Sequence, residues 1–139
     1  MPDPAEPMVG IVVVSHSAMI AQGVVELARQ MAGPDVRLIA AGGSADGSLG
    51  TDAARIAQAI VEADAGAGVV VLADLGSAVL ATKLALELVE PEVAARARLS
   101  GGPLVEGAVV AAVQASAGDT LADVLEAAEQ AAHMPKDVS

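Results

Sequence analysis

Val9-Gly10-Ile11-Val12-Val13-Val14-Ser15-His16-Ser17-Ala18 is the stretch whose reading decides the fold. The apolar run over 9–14 is β-branched almost throughout, lacks the alternation of a half-exposed strand, and stops in small polar residues. That pattern predicts a central parallel strand covered on both faces. Such a strand delivers its next side chains to the carboxyl edge of the sheet, where open α/β folds bind their ligands. His16 stands at that edge. The chain has no Cys, Tyr, Trp or Phe, and its other histidine, His133, lies near the end and reads as a surface residue. Among nucleophiles, His16 is the best placed.

Outward from this strand, helix and strand patterns alternate. Ile20, Val24, Leu27, Ala28 and Met31 recur at helical spacing up to Gly33-Pro34, and a short strand is predicted over 36–40. A Gly/Ser/Asp-rich loop over 42–50 follows, with Thr51 or Asp52 as cap for a helix carrying Ile56, Ile60 and Ala63 on one face. A third buried strand over 69–73 closes on Asp74-Leu75-Gly76-Ser77, and a helix with Val79, Leu80, Leu84 and Leu88 stops before Pro91. One more turn over 92–97 and a weak strand over 98–100 come next. Two helices complete the pattern, one over 104–117 and one with Leu121, Val124, Leu125 and Ala128 facing inward. Residues 1–8 and 134–139 read as tails around a single domain over 9–133. There is no internal repeat. The expected fold is α/β, a flavodoxin-like three-layer sandwich with a mainly parallel sheet.

Composition narrows the function. The 139 residues are 54% apolar without any aromatic, so the core is built from Ala, Val, Leu and Ile. Eighteen acidic against seven basic residues give a net charge of −11, which disfavours nucleic acid and anionic membranes as partners. The absence of Cys removes disulfides and thiolate metal sites, and two distant histidines offer no metal-ligand spacing, so no metal is expected. The start is Pro- and acid-rich, unlike a signal peptide, and no apolar run approaches the ~18 residues of a membrane span. A cytoplasmic location is expected.

Two strands end in titratable groups, His16 and Asp74. If those strands are neighbours, both groups face one crevice at the topological switch point. A carboxylate that accepts one ring N–H fixes the imidazole tautomer and leaves the other nitrogen as a bare lone pair, the form a nucleophilic histidine needs. Amides at the helix starts after Ser17 and after Gly76 then suit a phosphoryl group. The bland alternatives make Asp74 a helix cap and Ser15, Ser17 and Ser77 turn or cap residues. The 42–50 loop lacks the Gly-Lys-Ser/Thr ending of a P-loop, and no Gly-x-Ser-x-Gly elbow is present. A receiver domain is disfavoured because the first strand ends in His.

Val12-Val13-Val14-Ser15-His16-Ser17, Gly50-Thr51-Asp52-Ala53, Asp74-Leu75-Gly76-Ser77-Ala78 and Pro103-Leu104-Val105-Glu106-Gly107-Ala108 occur in one order along the chain. Together they resemble the mannose-type enzyme IIA family of the phosphotransferase system, and within it the dihydroxyacetone-kinase branch, over roughly residues 8–132. The resemblance implies a homodimer phosphorylated on His16 by the carrier HPr. It implies ADP, with Mg, in the partner subunit DhaL as acceptor, and a DhaK subunit that binds dihydroxyacetone. No cofactor is expected in this subunit itself. Asp74 falls on the family's orienting aspartate, and Ser15, Ser17, Gly76 and Ser77 on its phosphate-binding positions. Thr51 and Glu106 match signature positions without an assigned role. Some members carry fused HPr-like and enzyme I-like domains, so here the donor is expected to arrive in trans. A sugar-permease enzyme IIA and a non-catalytic regulatory module remain the alternatives.

Overall fold

A computed structural model describes residues 6–138; the parts of the expected tails at 1–5 and 139 lie outside the described residues. The strands are β1 (Gly10–Ser15), β2 (Leu38–Gly42), β3 (Val69–Ala73) and β4 (Ala97–Leu99). The helices are α1 (Ala18–Ala32), α2 (Ala53–Ala63), α3 (Gly76–Leu88), α4 (Pro91–Ala95), α5 (Leu104–Ser116) and α6 (Leu121–Gln130). The strands form one parallel sheet in the order β2-β1-β3-β4, so β1 and β3 are neighbours and the order reverses between them. This is the flavodoxin-like arrangement expected from the sequence. Strand edges moved by one or two residues, with β1 reaching Ser15 and β2 running from 38 to 42.

The pleat divides the core into two layers. Ile11 and Val13 of β1 and Val70 and Leu72 of β3 pack with α1, α5 and α6. Val12 and Val14 of β1 and Val69 and Val71 of β3 pack with α2 and α3. Residues i and i+2 share a face of a strand, so an unbroken run of β-branched residues fills both sides at once.

The buried helix faces are not those that carry the largest apolar residues. In α1 the buried residues are Ala21, Val24 and Ala28, whereas Ile20, Leu27 and Met31 are exposed. In α3 they are Ala78, Ala81, Thr82 and Ala85, whereas Leu80, Leu84 and Leu88 face outward. Alanine on the inner face lets a helix lie close to the Val-rich sheet, and larger side chains then occupy the outer stripe. In a helix that is apolar nearly all round, periodicity does not distinguish the two faces. In α2, Ile56, Ile60 and Ala63 point inward as expected, and Asp52 rather than Thr51 is the cap, its carboxylate accepting from the Ala54 amide at 3.1 Å.

Close backbone approach requires glycine at two strand positions. A Cβ on Gly10 would stand 2.0 Å from the Ala63 carbonyl oxygen, and one on Gly42 would stand 2.6 Å from that of Ser17. The second contact sets the start of α1 directly against the end of β2, beside the carboxyl edge. At the amino edge, Asp64 closes α2 and its buried carboxylate takes the Arg96 guanidinium at 2.6 and 3.0 Å. That pair ties α2 to the segment entering β4. No helix among the described residues is long and apolar enough to cross a membrane.

The hydrogen bonds from Arg96 outweigh burial and hold the Asp64 carboxyl below the usual carboxylate range. A depressed folded pKa contributes stability above the unfolded value of about 3.9 and loses it as pH falls through the folded value. Asp64→Asn is expected to lower stability at pH 7 by about 1–2 kcal/mol. In thermal melts the gap to wild type narrows as the pH drops below about 4; a gap independent of pH would show that the pair contributes nothing.

Candidate active site

The site is built where β1 and β3 run out together. Their register pairs Val14 with Ala73, and the Asp74 amide continues the ladder to the Val14 carbonyl at 3.1 Å. The next residues, Ser15 and Asp74, therefore stand side by side, and the pleat puts both on the face of Val13 and Leu72. The Ser15 hydroxyl donates to Asp74 Oδ2 at 2.8 Å, and the His16 backbone amide donates to the same oxygen at 3.0 Å. Asp74 Oδ1 meets His16 Nδ1 at 2.9 Å and accepts the Leu75 amide at 2.7 Å. Burial pushes the Asp74 carboxyl up, but the His16 amide, the Ser15 hydroxyl, the His16 ring and the Leu75 amide together hold it below its usual range. The carboxylate is ionised at neutral pH.

An ionised carboxylate only accepts, so the proton on the imidazole belongs on Nδ1. Nε2 is then a bare lone pair. It faces the hydroxyl of Ser77, which donates to it in close contact. The ring is reachable, with 26% of the His16 side chain exposed against 16% of Asp74. The 42–50 loop closes onto the same segment: the Gly50 amide donates to the His16 carbonyl at 2.9 Å and the Gly43 amide to that of Ser15 at 3.1 Å.

Two helices start at this edge. In α1, Ser17 is the N-cap, its hydroxyl accepting from the Ile20 amide at 3.2 Å, while its own amide donates to Ser15 Oγ at 3.1 Å. The Ala18 and Met19 amides are left without an acceptor in their own helix. In α3 the N-cap is Leu75, and the Ala78 amide returns to its carbonyl, leaving the amides of Gly76 and Ser77 free in the same sense. An incoming anion therefore meets neutral N–H donors and helix dipoles. The guanidiniums of Arg29, Arg37, Arg96 and Arg98 bind backbone carbonyls or Asp64 toward the amino edge.

The expected site residues are thus distributed over three levels. His16, Asp74 and Ser77 form one hydrogen-bonded row, and Gly76 opens α3 beside it. Ser17 caps α1. Ser15 lies beneath the crevice, fully buried, with its hydroxyl shared between Asp74 and the Ser17 amide. That placement differs from the sequence expectation, in which Ser15 touches a phosphoryl group. Asp74 is not the cap of α3. Thr51 precedes the Asp52 cap, and Glu106 lies in the first turn of α5, paired with Lys136 at 2.9 Å. His133 is exposed in a single 3-10 turn, Ala131–His133. The Ser15–Asp74 bond escaped the sequence reading, although strand alternation together with the register of two adjacent strand ends is enough to find it.

Known proteins resemble this chain at different depths. The phosphoryl donor subunit DhaM of PEP-dependent dihydroxyacetone kinase from Escherichia coli strain K12 is 43% identical over 121 residues. That match covers 85% of this chain but 26% of the relative, so the chain spans about a quarter of the enteric protein. The phosphoryl donor subunit DhaM of kinase 2 from Listeria innocua serovar 6a is 42% identical over 107 residues, covering 77% of this chain and 86% of that protein. The crystal structure of the unknown function protein EF1359 superposes with a TM-score of 0.78 at 40% identity, covering 88% of this chain and 94% of that one. The family model described as PTS system fructose IIA component, EIIA-man, matches residues 10–125 and so takes in the strand end, the Asp74 turn and the start of α5. On that match and these relatives, the chain belongs to the EIIA-man family.

Proposed function

We propose that this chain is the phosphocarrier of a phosphotransferase-system-dependent dihydroxyacetone kinase. His16 takes a phosphoryl group from phospho-HPr and passes it to ADP held, with Mg, in the DhaL subunit, for phosphorylation of dihydroxyacetone on DhaK. In this reading the protein works in the cytoplasm as a homodimer and needs no cofactor of its own. The observation that carries the reading is the His16 ring, with Nδ1 on an ionised Asp74 and Nε2 turned to Ser77 at the open edge. Relatives named as DhaM, at 36–44% identity, support the kinase as destination.

The chemistry follows from that ring. Nε2 attacks phosphorus as the bond from phosphorus to the donor nitrogen breaks, and the electron pair leaves with the donor. His16 then carries the phosphoryl group on Nε2 while Nδ1 keeps its proton on Asp74, so the charge that builds on the ring is met where it forms. Ser77 gives up its bond to Nε2 and turns to a phosphoryl oxygen. The Gly76, Ser77, Ala18 and Met19 amides supply the remaining donors. Because phosphohistidine is already activated, positioning and charge stabilisation are the main demands on the protein.

The fructose description of the family model favours a second reading, an enzyme IIA that serves a sugar permease by the same chemistry. Incubation with phosphoenolpyruvate, enzyme I and HPr is expected to give an acid-labile, base-stable phosphoprotein, and His16→Ala is expected to stay unlabelled. A labelled mutant rejects His16 as acceptor, and an unlabelled wild type favours a non-catalytic module. Adding DhaK, DhaL, ADP and dihydroxyacetone is expected to yield dihydroxyacetone phosphate; none formed from a labelled carrier points to the permease. Asp74→Asn should fold, yet an amide facing Nδ1 favours the wrong tautomer. Transfer is expected to slow by about 10²-fold or more, and an unchanged rate measured by quenched flow would remove Asp74 from the mechanism.

A further inference from the structure

We propose that Ser15 is a positioning residue: its buried hydroxyl locks the Asp74 carboxylate in the rotation that presents Oδ1 to His16 Nδ1, and links that lock to the turn opening α1. This deepens the phosphocarrier reading and rests on it for its kinetic consequence. The direction of the hydroxyl proton is forced. The Ser17 amide donates to Ser15 Oγ at 3.1 Å and so occupies an acceptor position. Asp74 Oδ2, at 2.8 Å, only accepts, so the O–H points at it. With its one proton committed and its side chain fully buried, Ser15 has no donor left for a phosphoryl group in the crevice.

The consequences reach both halves of the site. The carboxylate is held at each oxygen by two donors: Ser15 Oγ and the His16 amide on Oδ2, the His16 ring and the Leu75 amide on Oδ1. Three of these bonds come from backbone or from the ring being oriented, so among the described residues Ser15 is the one independent side chain that sets the twist of the carboxyl plane. Without it, rotation of the carboxyl group moves Oδ1 off Nδ1, and the ring is free to place its proton on either nitrogen. The same deletion orphans the Ser17 amide in the turn that precedes the free amides of Ala18 and Met19.

The test compares wild type, Ser15→Ala and Ser15→Cys, the last keeping a weak donor of similar size. Ring ¹⁵N shifts of His16 in the unphosphorylated protein, with His133 as internal reference, report which nitrogen is protonated. Wild type is expected as the Nδ1–H tautomer, Ser15→Ala as a mixture, and Ser15→Cys in between. In single-turnover labelling by phospho-HPr, Ser15→Ala is expected to lower the maximal rate constant about 10-fold to 100-fold, as loss of an outer-shell partner commonly does. The half-saturating phospho-HPr concentration should hold. An unchanged tautomer and rate constant would overturn the proposal, as would a change in half-saturation alone, which assigns Ser15 to docking. If Ser15→Ala does not fold, Ser15→Cys decides by the same two readouts. A wild type that takes no label defeats the phosphocarrier reading, while the tautomer comparison still decides the role of Ser15.

Discussion

The Asp74 carboxylate receives four hydrogen bonds within 3.0 Å, and three of them come from Ser15, the last residue of the neighbouring strand, and His16, which follows it. It is at once the clasp between the ends of β1 and β3 and the group that orients the imidazole. Four donors outweigh its partial burial and keep it charged, and the charge determines on which ring nitrogen the proton sits. The unprotonated Nε2, which accepts from the Ser77 hydroxyl, is a consequence. The join between the strand ends and the orientation of the ring therefore rest on one group.

That clasp depends on how tightly the surrounding layers pack. Small inner faces on α1 and α3, made largely of Ala, let helices approach the sheet closely, and Gly42 lets the start of α1 sit against the end of β2. Both helix N-termini then converge on the carboxyl edge with their first amides open. Large apolar side chains such as Leu80 and Leu84 are displaced to the outside, where they do nothing for the core. At the opposite edge, Arg96 and Asp64 hold the strand entries together, and Arg29, Arg37 and Arg98 bind backbone carbonyls on the same side. At the carboxyl edge the open amides of α1 and α3 are dipoles oriented by the fold itself.

Much of this was legible in the residues themselves. The β-branched runs over 9–14 and 69–73, both stopping in small polar residues, located the central strands and the two chemically distinctive strand ends. His16 was selected by elimination, since nothing else of comparable reactivity ends a strand. A helix cap was legible at 51–52, where the structure selects Asp52 over Thr51, whereas the inner faces of α1 and α3 were not legible. In those helices apolar residues occur on every side, so the hydrophobic period identifies a helix without identifying its buried stripe.

The chain alone determined the α/β class, the ordering of elements and the identity of the groups at the strand ends, because these follow from local period, branching and turn chemistry. Tertiary structure decided which strands are neighbours and in what register. Only that pairing sets Ser15 beside Asp74, turns a residue expected on the crevice surface into one beneath it, and brings Ser77 to Nε2 from sixty-one residues away. Such contacts join segments distant in sequence, and their geometry is set by the packing of the sheet against its helices rather than by any local propensity.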